Sequence, residues 1–344
     1  MPIYKVKPVI PRDAADPANQ RSNLGRAVRE LKKRFKAIEK EMVQLVGEQS
    51  KYRKVTSANA EWRPLVYFTN AKGELDTFKS QEAVNKTYYE YQIDTDRYNQ
   101  IDNFIDRLLK RSILESLNGG KSPRWFFQSY LTKSFNDGVA DALQSAKNQA
   151  EPDIVGQQIT QQIRAIGDDA FSPQIMQALG LVHARVFNEM KGLADSMKVD
   201  LAETLTRGMA DGLGIREITA DIKKRVGVGF SRAQRIARTE ILQSYRTAQR
   251  ARTKEINETV YDDSPYVMRQ LWFSALADTS RSWHVSRHGN IYTQQEVERF
   301  YSERGNSINC LYSQSPVLVN RKTGEPVNQE LIKKMKKQKE RWSG

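Results

Sequence analysis

The stretch SRAQRIARTEILQSYRTAQRARTKEI, residues 231–256, decides how this chain is read. Ala233, Ala237, Ile241, Tyr245 and Ala248 recur at three- and four-residue steps, the spacing of one face of an α-helix. That face is narrow and built mostly of small residues. Arg246, Arg250 and Lys254, four residues apart, form a basic stripe beside it. Ser231 with Gln234 three residues on has the pattern of a capping box, which predicts that the helix starts there. GLGIREITADIKKRVG at 212–227 then reads as a separate short helix after a glycine turn, joined through Val228-Gly229-Phe230.

Upstream, the periodicity predicts helices over about 195–211, closed by Asp211-Gly212, and over 173–191, with Ser172 as cap and Pro173 as first helical residue. Further helices fall at 124–148 and, after a break at Glu151-Pro152-Asp153, up to 166. Tyr88, Tyr91, Tyr98, Ile101, Ile105, Leu108, Leu109 and Leu117 suit one or two long helices over 80–118, ended by Asn118-Gly119-Gly120. Residues 50–80 are mixed, with Leu65–Phe68 extended after Trp62-Arg63-Pro64 and a turn at Ala71-Lys72-Gly73. Leu31, Phe35, Ile38, Met42 and Leu45 mark a helix from Leu24 to about Gly47. The first 23 residues hold four of the eleven prolines and read as an arm that needs a partner to order it.

Downstream the period shortens to two. Val267, Arg269, Leu271 and Phe273 alternate with Met268, Gln270 and Trp272, as in a strand. Thr293 with Glu296 is a second capping box, opening a helix to about Tyr301. Residues 317–327 suggest a hairpin, and Asn328 caps a last basic helix with Leu331, Ile332 and Met335 on its apolar side. The expected class is mainly α, with long helices in the N-terminal and central regions and a small C-terminal α+β domain. The blocks are an extended arm (1–23), an N-terminal helical region (24–120), a central helical region (121–260), the α+β domain (261–320) and a basic C-terminal helix (321–344).

The 344 residues carry 55 Lys+Arg against 41 Asp+Glu, a net charge of +14. Three windows concentrate it: 26–40 at +5, 221–260 at +6 and 321–344 at +5. Clustered cations are the footprint of phosphate-backbone binding, and no base-reading module accompanies them. Arg232, Arg235, Arg246, Arg250, Lys333, Lys334, Lys336 and Lys337 are therefore the candidates for holding double-stranded DNA without reading its sequence. The alternatives are solvated helix faces or contacts to acidic protein surfaces. No stretch approaches the roughly 18 apolar residues of a membrane span, and Met1–Ile10 lacks a signal peptide's apolar region, so no membrane partner is expected.

Catalytic chemistry has few residues to draw on. Cys310 is the one cysteine, which excludes an internal disulfide and any paired-cysteine zinc site. Of three histidines, His183 stands alone in a helical stretch and reads as structural. His284 and His288 have HxxxH spacing, and Cys310 and Asp278 complete a zinc set on paper; Gly289 marks the segment as loop, however, so no metal or cofactor is expected. The other reading makes His284 a buried, hydrogen-bonded residue near Asp278 or Arg281. Arg269, Thr279-Ser280 and Glu296-Val297-Glu298 follow the order of an ADP-ribosyltransferase set, but at short spacing and with Glu296 already used as a cap. A nuclease built on His284, His288 and Asn290 lacks an acidic pair to hold its metal. There is no P-loop and no GxGxxG. Catalysis is not expected.

One ordered set of residues carries identity: IARTE at Ile236–Glu240, then Trp272, Asp278, Arg281, His284, Gly289 and Asn309-Cys310. It resembles the phage head-morphogenesis family, the minor head proteins typified by the F protein of phage Mu. The matching segments are DGLGIREITADI, SRAQRIARTEILQSYRTAQ, LWFSALADTSRSWHVSRHG and SINC, and the resemblance covers about residues 125–320. Two positions depart from the family pattern. Its Cys-Arg-Cys reads Cys310-Leu311-Tyr312, and the His-Pro often found before it reads Ser307-Ile308.

The resemblance implies a non-enzymatic minor capsid protein, assembled in the host cytoplasm and placed in the capsid interior. Its implied partners are the portal protein, a major capsid or scaffold protein, and packaged DNA. Arg238, Thr239, Glu240, Trp272, Asp278, Arg281, His284, Gly289 and Cys310 are then structural, with Arg238 and Glu240 tying the helix to the small domain and Glu240 meeting Arg281. A scaffold that never touches DNA is the rival reading.

Overall fold

The computed structural model describes residues 6–48, 52–55, 66–69, 75–78, 88–91, 95–114, 124–167, 172–303 and 305–342. In chain order the elements are α1 (Arg21–Glu48), β1 (Tyr52–Val55), β2 (Val66–Thr69), β3 (Leu75–Phe78), β4 (Tyr88–Tyr91) and α2 (Thr95–Leu109), which runs on into a π-helical turn, Lys110–Leu114. Next come α3 (Arg124–Phe126), a second π-helical turn (Phe127–Leu131), α4 (Thr132–Gln149), α5 (Pro152–Val155), α6 (Gln157–Ala165), α7 (Pro173–Ala210) and α8 (Ile215–Thr259). The C-terminal part holds β5 (Tyr266–Phe273), α9 (Ser282–Val285), β6 (Ile291–Tyr292), α10 (Gln294–Ser302), β7 (Ser313–Asn320) and α11 (Gln329–Glu340). The fold is mainly α with a small C-terminal α+β part.

Two compact units make up the chain. One comprises residues 1–31, 122–190 and 233–344, the other residues 32–121 and 191–232. Helices α1, α7 and α8 supply residues to both.

In the first unit a three-stranded antiparallel sheet, ordered β6-β5-β7, separates two apolar layers. Met268 pairs with Leu318 and Trp272 with Gln314 across β5 and β7. Leu271, Phe273, Val317 and Val319 pack on Ile332 and Met335 of α11. Met268 and Leu318 face the other way, onto Leu143, Ala146, Ile163, Ile256 and Tyr261 from the helical layer. Two carboxamides complete the strands' backbone bonding. Gln149 donates to Pro316 O at 3.0 Å and accepts from Leu318 N at 2.9 Å, while Asn257 makes the matching pair with Met268, both at 2.9 Å. Each amide supplies what a neighbouring strand would, so those edges are not left as templates for aggregation.

Helices α4 and α8 touch backbone to backbone at Gly138, where a Cβ would stand 2.3 Å from the carbonyl oxygen of Tyr245. One and two turns before Gly138, Ser134 donates to Ile241 O at 2.8 Å and Leu131 O accepts from Ser244 at 3.1 Å. This close approach explains the narrow stripe of small residues.

In the second unit Phe35 meets Phe230 edge-on at 5.6 Å, and Lys198 of α7 pairs with Asp102 of α2 at 2.9 Å. Strands β1 and β4 pair antiparallel, as do β2 and β3. Tyr89 N donates to Gly212 O at 3.1 Å and the Tyr91 hydroxyl to Leu213 O at 2.7 Å, joining β4 to the turn before α8.

Several local readings hold. Thr293 and Glu296 form the full capping box, Asn328 accepts from Leu331 N, and Ser172 accepts from Ile175 N at 3.3 Å. The extended reading of Leu65–Phe68 overlaps β2. Trp62-Arg63-Pro64, Ala71-Lys72-Gly73 and Asn118-Gly119-Gly120 lie outside the described residues.

Others are corrected. Residues 173–210 are one helix, as are 215–259, and Ser231 lies inside α8 donating to Gly227 O at 3.1 Å. Gly229 continues that helix because a Cβ there would come within 2.6 Å of Met197 Sδ: the glycine makes room for α7 and breaks nothing. Tyr88–Tyr91 is a strand paired antiparallel with β1, a partner more than thirty residues upstream that helical periodicity does not register. The arm is held by its own chain. Val6 and Ala18 are buried, Val9 N donates to Ser145 Oγ at 3.0 Å, and Val6 O accepts from Asn328 at 2.8 Å.

Candidate functional site

The motif residues gather where α8 meets the segment from β5 to β7. Thr239 Oγ1 accepts the backbone N–H of Asn309 at 3.0 Å, and Arg238 Nη1 donates to the Asn309 side-chain oxygen at 3.1 Å. Asn309 has φ 56°, the left-handed conformation that asparagine tolerates better than most residues. The motif helix thus clamps the residue that introduces Cys310.

Glu240 corrects one expectation. It meets Arg185 of α7 at 2.9 and 2.8 Å, and Arg281 turns elsewhere. Burial raises the Glu240 pKa, and the Arg185 guanidinium pulls it back. Arg281 donates through Nη2 to Ile308 O at 3.0 Å and lies 3.5 Å through Nη1 from His284 Nε2. A guanidinium can only donate, so Nε2 accepts and the ring proton rests on Nδ1, 3.7 Å from Cys310 Sγ. His284 is fully buried, between Phe300 at 4.9 Å and Tyr312 at 4.7 Å. Burial, then the nearby Arg281 and Arg246 cations, lower its pKa to about 4, so it is neutral at pH 7.

Trp272 is buried in the same cluster, stacked on Tyr301 at 5.4 Å and edge-on to Phe300 at 5.1 Å. Gly289 has φ 74°, and a Cβ on it would lie 3.0 Å from Met335 Cβ. Its N–H donates to Trp272 O at 3.0 Å. Asp278 is exposed, apart from this network.

His288 does not join His284. Its Nδ1 accepts from Ser274 N at 3.0 Å, on the other side of the segment. Among the described residues no three His, Cys, Asp or Glu side chains gather as a metal site. Glu296 is bound into its cap and Glu298 lies 3.5 Å from Arg250, so the Glu-x-Glu pair is engaged in structural contacts. His183 stacks on Phe127 at 4.6 Å.

The basic candidates divide sharply. Arg232, Arg235, Lys333, Lys334, Lys336 and Lys337 are exposed. Arg246 and Arg250 are buried, which removes them as phosphate contacts. Arg246 Nη1 donates to Tyr312 O at 3.0 Å, Tyr301 OH at 3.3 Å and Cys310 O at 3.4 Å, with the guanidinium 4.4 Å above the Tyr301 ring. Arg246 and Arg250 fall on the flank of α8 that the small domain covers, while Lys254, the third member of the stripe, is exposed and lies 3.7 Å from Glu258. Sequence reading missed this role for Arg246, and Arg185 as the partner of Glu240; neither has a signal local to its position.

No curated protein and no solved structure matches the chain. Residues 199–312 match the family model described as phage Mu protein F like protein. Arg238, Thr239, Glu240, Trp272, Asp278, Arg281, His284, Gly289 and Cys310 all lie inside that span, which is about a third of the chain, and over it the chain is similar to this family.

Proposed function

We propose that the protein is a minor component of the phage head, without catalytic activity, that binds the portal and holds packaged double-stranded DNA by charge. The observation that carries the DNA part is the two-sidedness of α11. Ile332 and Met335 are buried under the sheet, while Lys333, Lys334, Lys336 and Lys337 remain exposed. A helix anchored in this way presents a fixed row of ammonium groups. Such groups neutralise phosphates of any sequence and release condensed counterions. Arg232 and Arg235 of α8 add exposed guanidiniums. The motif residues support a structural role: Arg238 and Thr239 bond to Asn309, Arg281 and Gly289 bond to backbone carbonyls, and the Cys310–His284 pair is buried. No helix among the described residues is long and apolar enough to cross a membrane.

Counting copies in purified heads, together with co-purification of the portal in the presence of nuclease, tests the assembly part. A few copies per head and nuclease-resistant portal binding are expected. Absence from purified heads overturns the reading.

A further inference from the structure

Trp283 is 55% exposed, Ile308 45% and Leu311 36%. These side chains are held in place. Trp283 Nε1 donates to Asn306 Oδ1 at 3.1 Å, and Asn306 in turn donates to Phe300 O at 2.8 Å. Arg281 fixes the carbonyl of Ile308, and Arg238 and Thr239 fix Asn309. The irregular stretch before Cys310 is thus braced from α8, from α9 and from the end of α10. The bracing holds Trp283 and Ile308 toward solvent, and Leu311 is exposed just beyond the buried Cys310. A rigid apolar group loses little conformational freedom on binding, and tryptophan with arginine is the composition of interface hot spots.

The charge at this patch points to the partner's chemistry. The guanidiniums of Arg238 and Arg281 are bonded directly to the loop, and Arg235 lies exposed one turn earlier on α8. Nearby carboxylates are engaged: Glu240 with Arg185, Glu296 in its cap, Glu298 beside Arg250. Asp278 and Glu303 are exposed on the same stretch and leave the balance positive. We propose that Trp283, Ile308 and Leu311, bordered by Arg238 and Arg281, dock an acidic segment of a partner protein that also presents apolar side chains. This goes beyond DNA binding, which uses the lysines of α11, and the two activities are separable.

The test uses the intact protein and three short fluorescent peptides, in which leucine alternates with glutamate, leucine with lysine, or serine with glutamate. Anisotropy is expected to rank the leucine–glutamate peptide tightest. The double variant Trp283→Ser, Ile308→Ser is expected to weaken it by about tenfold or more. Because Trp283→Ser also removes the donor to Asn306, the variant Ile308→Ser, Leu311→Ser, which keeps that bond, is measured beside it. This second variant is expected to weaken the peptide as well, with an unchanged thermal melt, and equal binding by it overturns the proposal. No binding of the leucine–glutamate peptide, equal binding by the variant, or preference for the lysine peptide overturns the proposal. Loss of duplex DNA binding in the same variant, with DNA displacing the peptide from wild type, assigns the patch to nucleic acid and overturns it too.

Discussion

Asn309 and Thr239, 70 residues apart in sequence, are joined by a 3.0 Å hydrogen bond from the Asn309 backbone N–H to the Thr239 hydroxyl. With Arg238 on the Asn309 side chain, it ties the motif helix to the loop carrying Cys310. Thr239→Val keeps the shape and removes the acceptor. It is expected to cost about 0.5–1.5 kcal/mol in urea unfolding, with faster amide exchange at Asn309 and Cys310. Unchanged exchange there contradicts the clamp.

Arg246 separates burial from binding. Arg246→Ala removes a buried guanidinium that serves the carbonyls of Cys310 and Tyr312. A loss of roughly 3 kcal/mol or more is expected from the lost charged hydrogen bonds and the cavity together. The salt dependence of DNA binding by the folded fraction is expected to stay the same, because Arg246 is inaccessible.

Two glycines give opposite outcomes under one substitution. Gly138→Ala places a methyl group 2.3 Å from the Tyr245 carbonyl oxygen and forces α4 and α8 apart, for a cost of about 2 kcal/mol or more. Gly180 is exposed in the third turn of α7 with nothing within 4 Å of where a Cβ would stand, so Gly180→Ala is expected to stabilise by about 0.5–1 kcal/mol. Paired thermal melts check both signs.

The pH dependence follows from His284. Its folded pKa of about 4 lies below the ordinary value of 6.5. Between those values the unfolded chain takes up a proton that the folded chain refuses. The stability present above pH 6.5 is therefore lost progressively as pH falls toward 4, by at most roughly 3 kcal/mol. Burial lowers His288 as well and acts in the same direction. His284→Gln is expected to flatten the profile between about pH 6.5 and 5, above the range where carboxylates titrate. An unchanged slope in unfolding titrations contradicts the buried neutral imidazole.

What the sequence revealed was local. Thr293 with Glu296 and Asn328 with Leu331 are caps whose partners lie three residues away, and both form. Ser231 with Gln234 has the same pattern and forms none, because Val226 and Ala233 are buried and packing carries the helix straight through. Arg246 and Arg250 could be placed on a stripe, but the flank of α8 that the small domain covers is marked by Tyr301, Cys310 and Tyr312, far along the chain. The pairing of Glu240 with Arg185, across 55 residues, likewise depends on how α7 lies beside α8. The order of IARTE, Trp272, Arg281, His284 and Cys310 was legible as a family pattern because it does not depend on contacts.

The most direct test of a charge-held DNA-binding head protein is its affinity for random-sequence duplex DNA as a function of salt, from about 50 to 300 mM. A straight fall of log affinity with log salt is expected, at about 0.9 per phosphate neutralised. A shallower slope is expected when Lys333, Lys334, Lys336 and Lys337 are replaced by glutamine. A flat affinity across that range, or a slope unmoved by the four substitutions, contradicts charge-held binding.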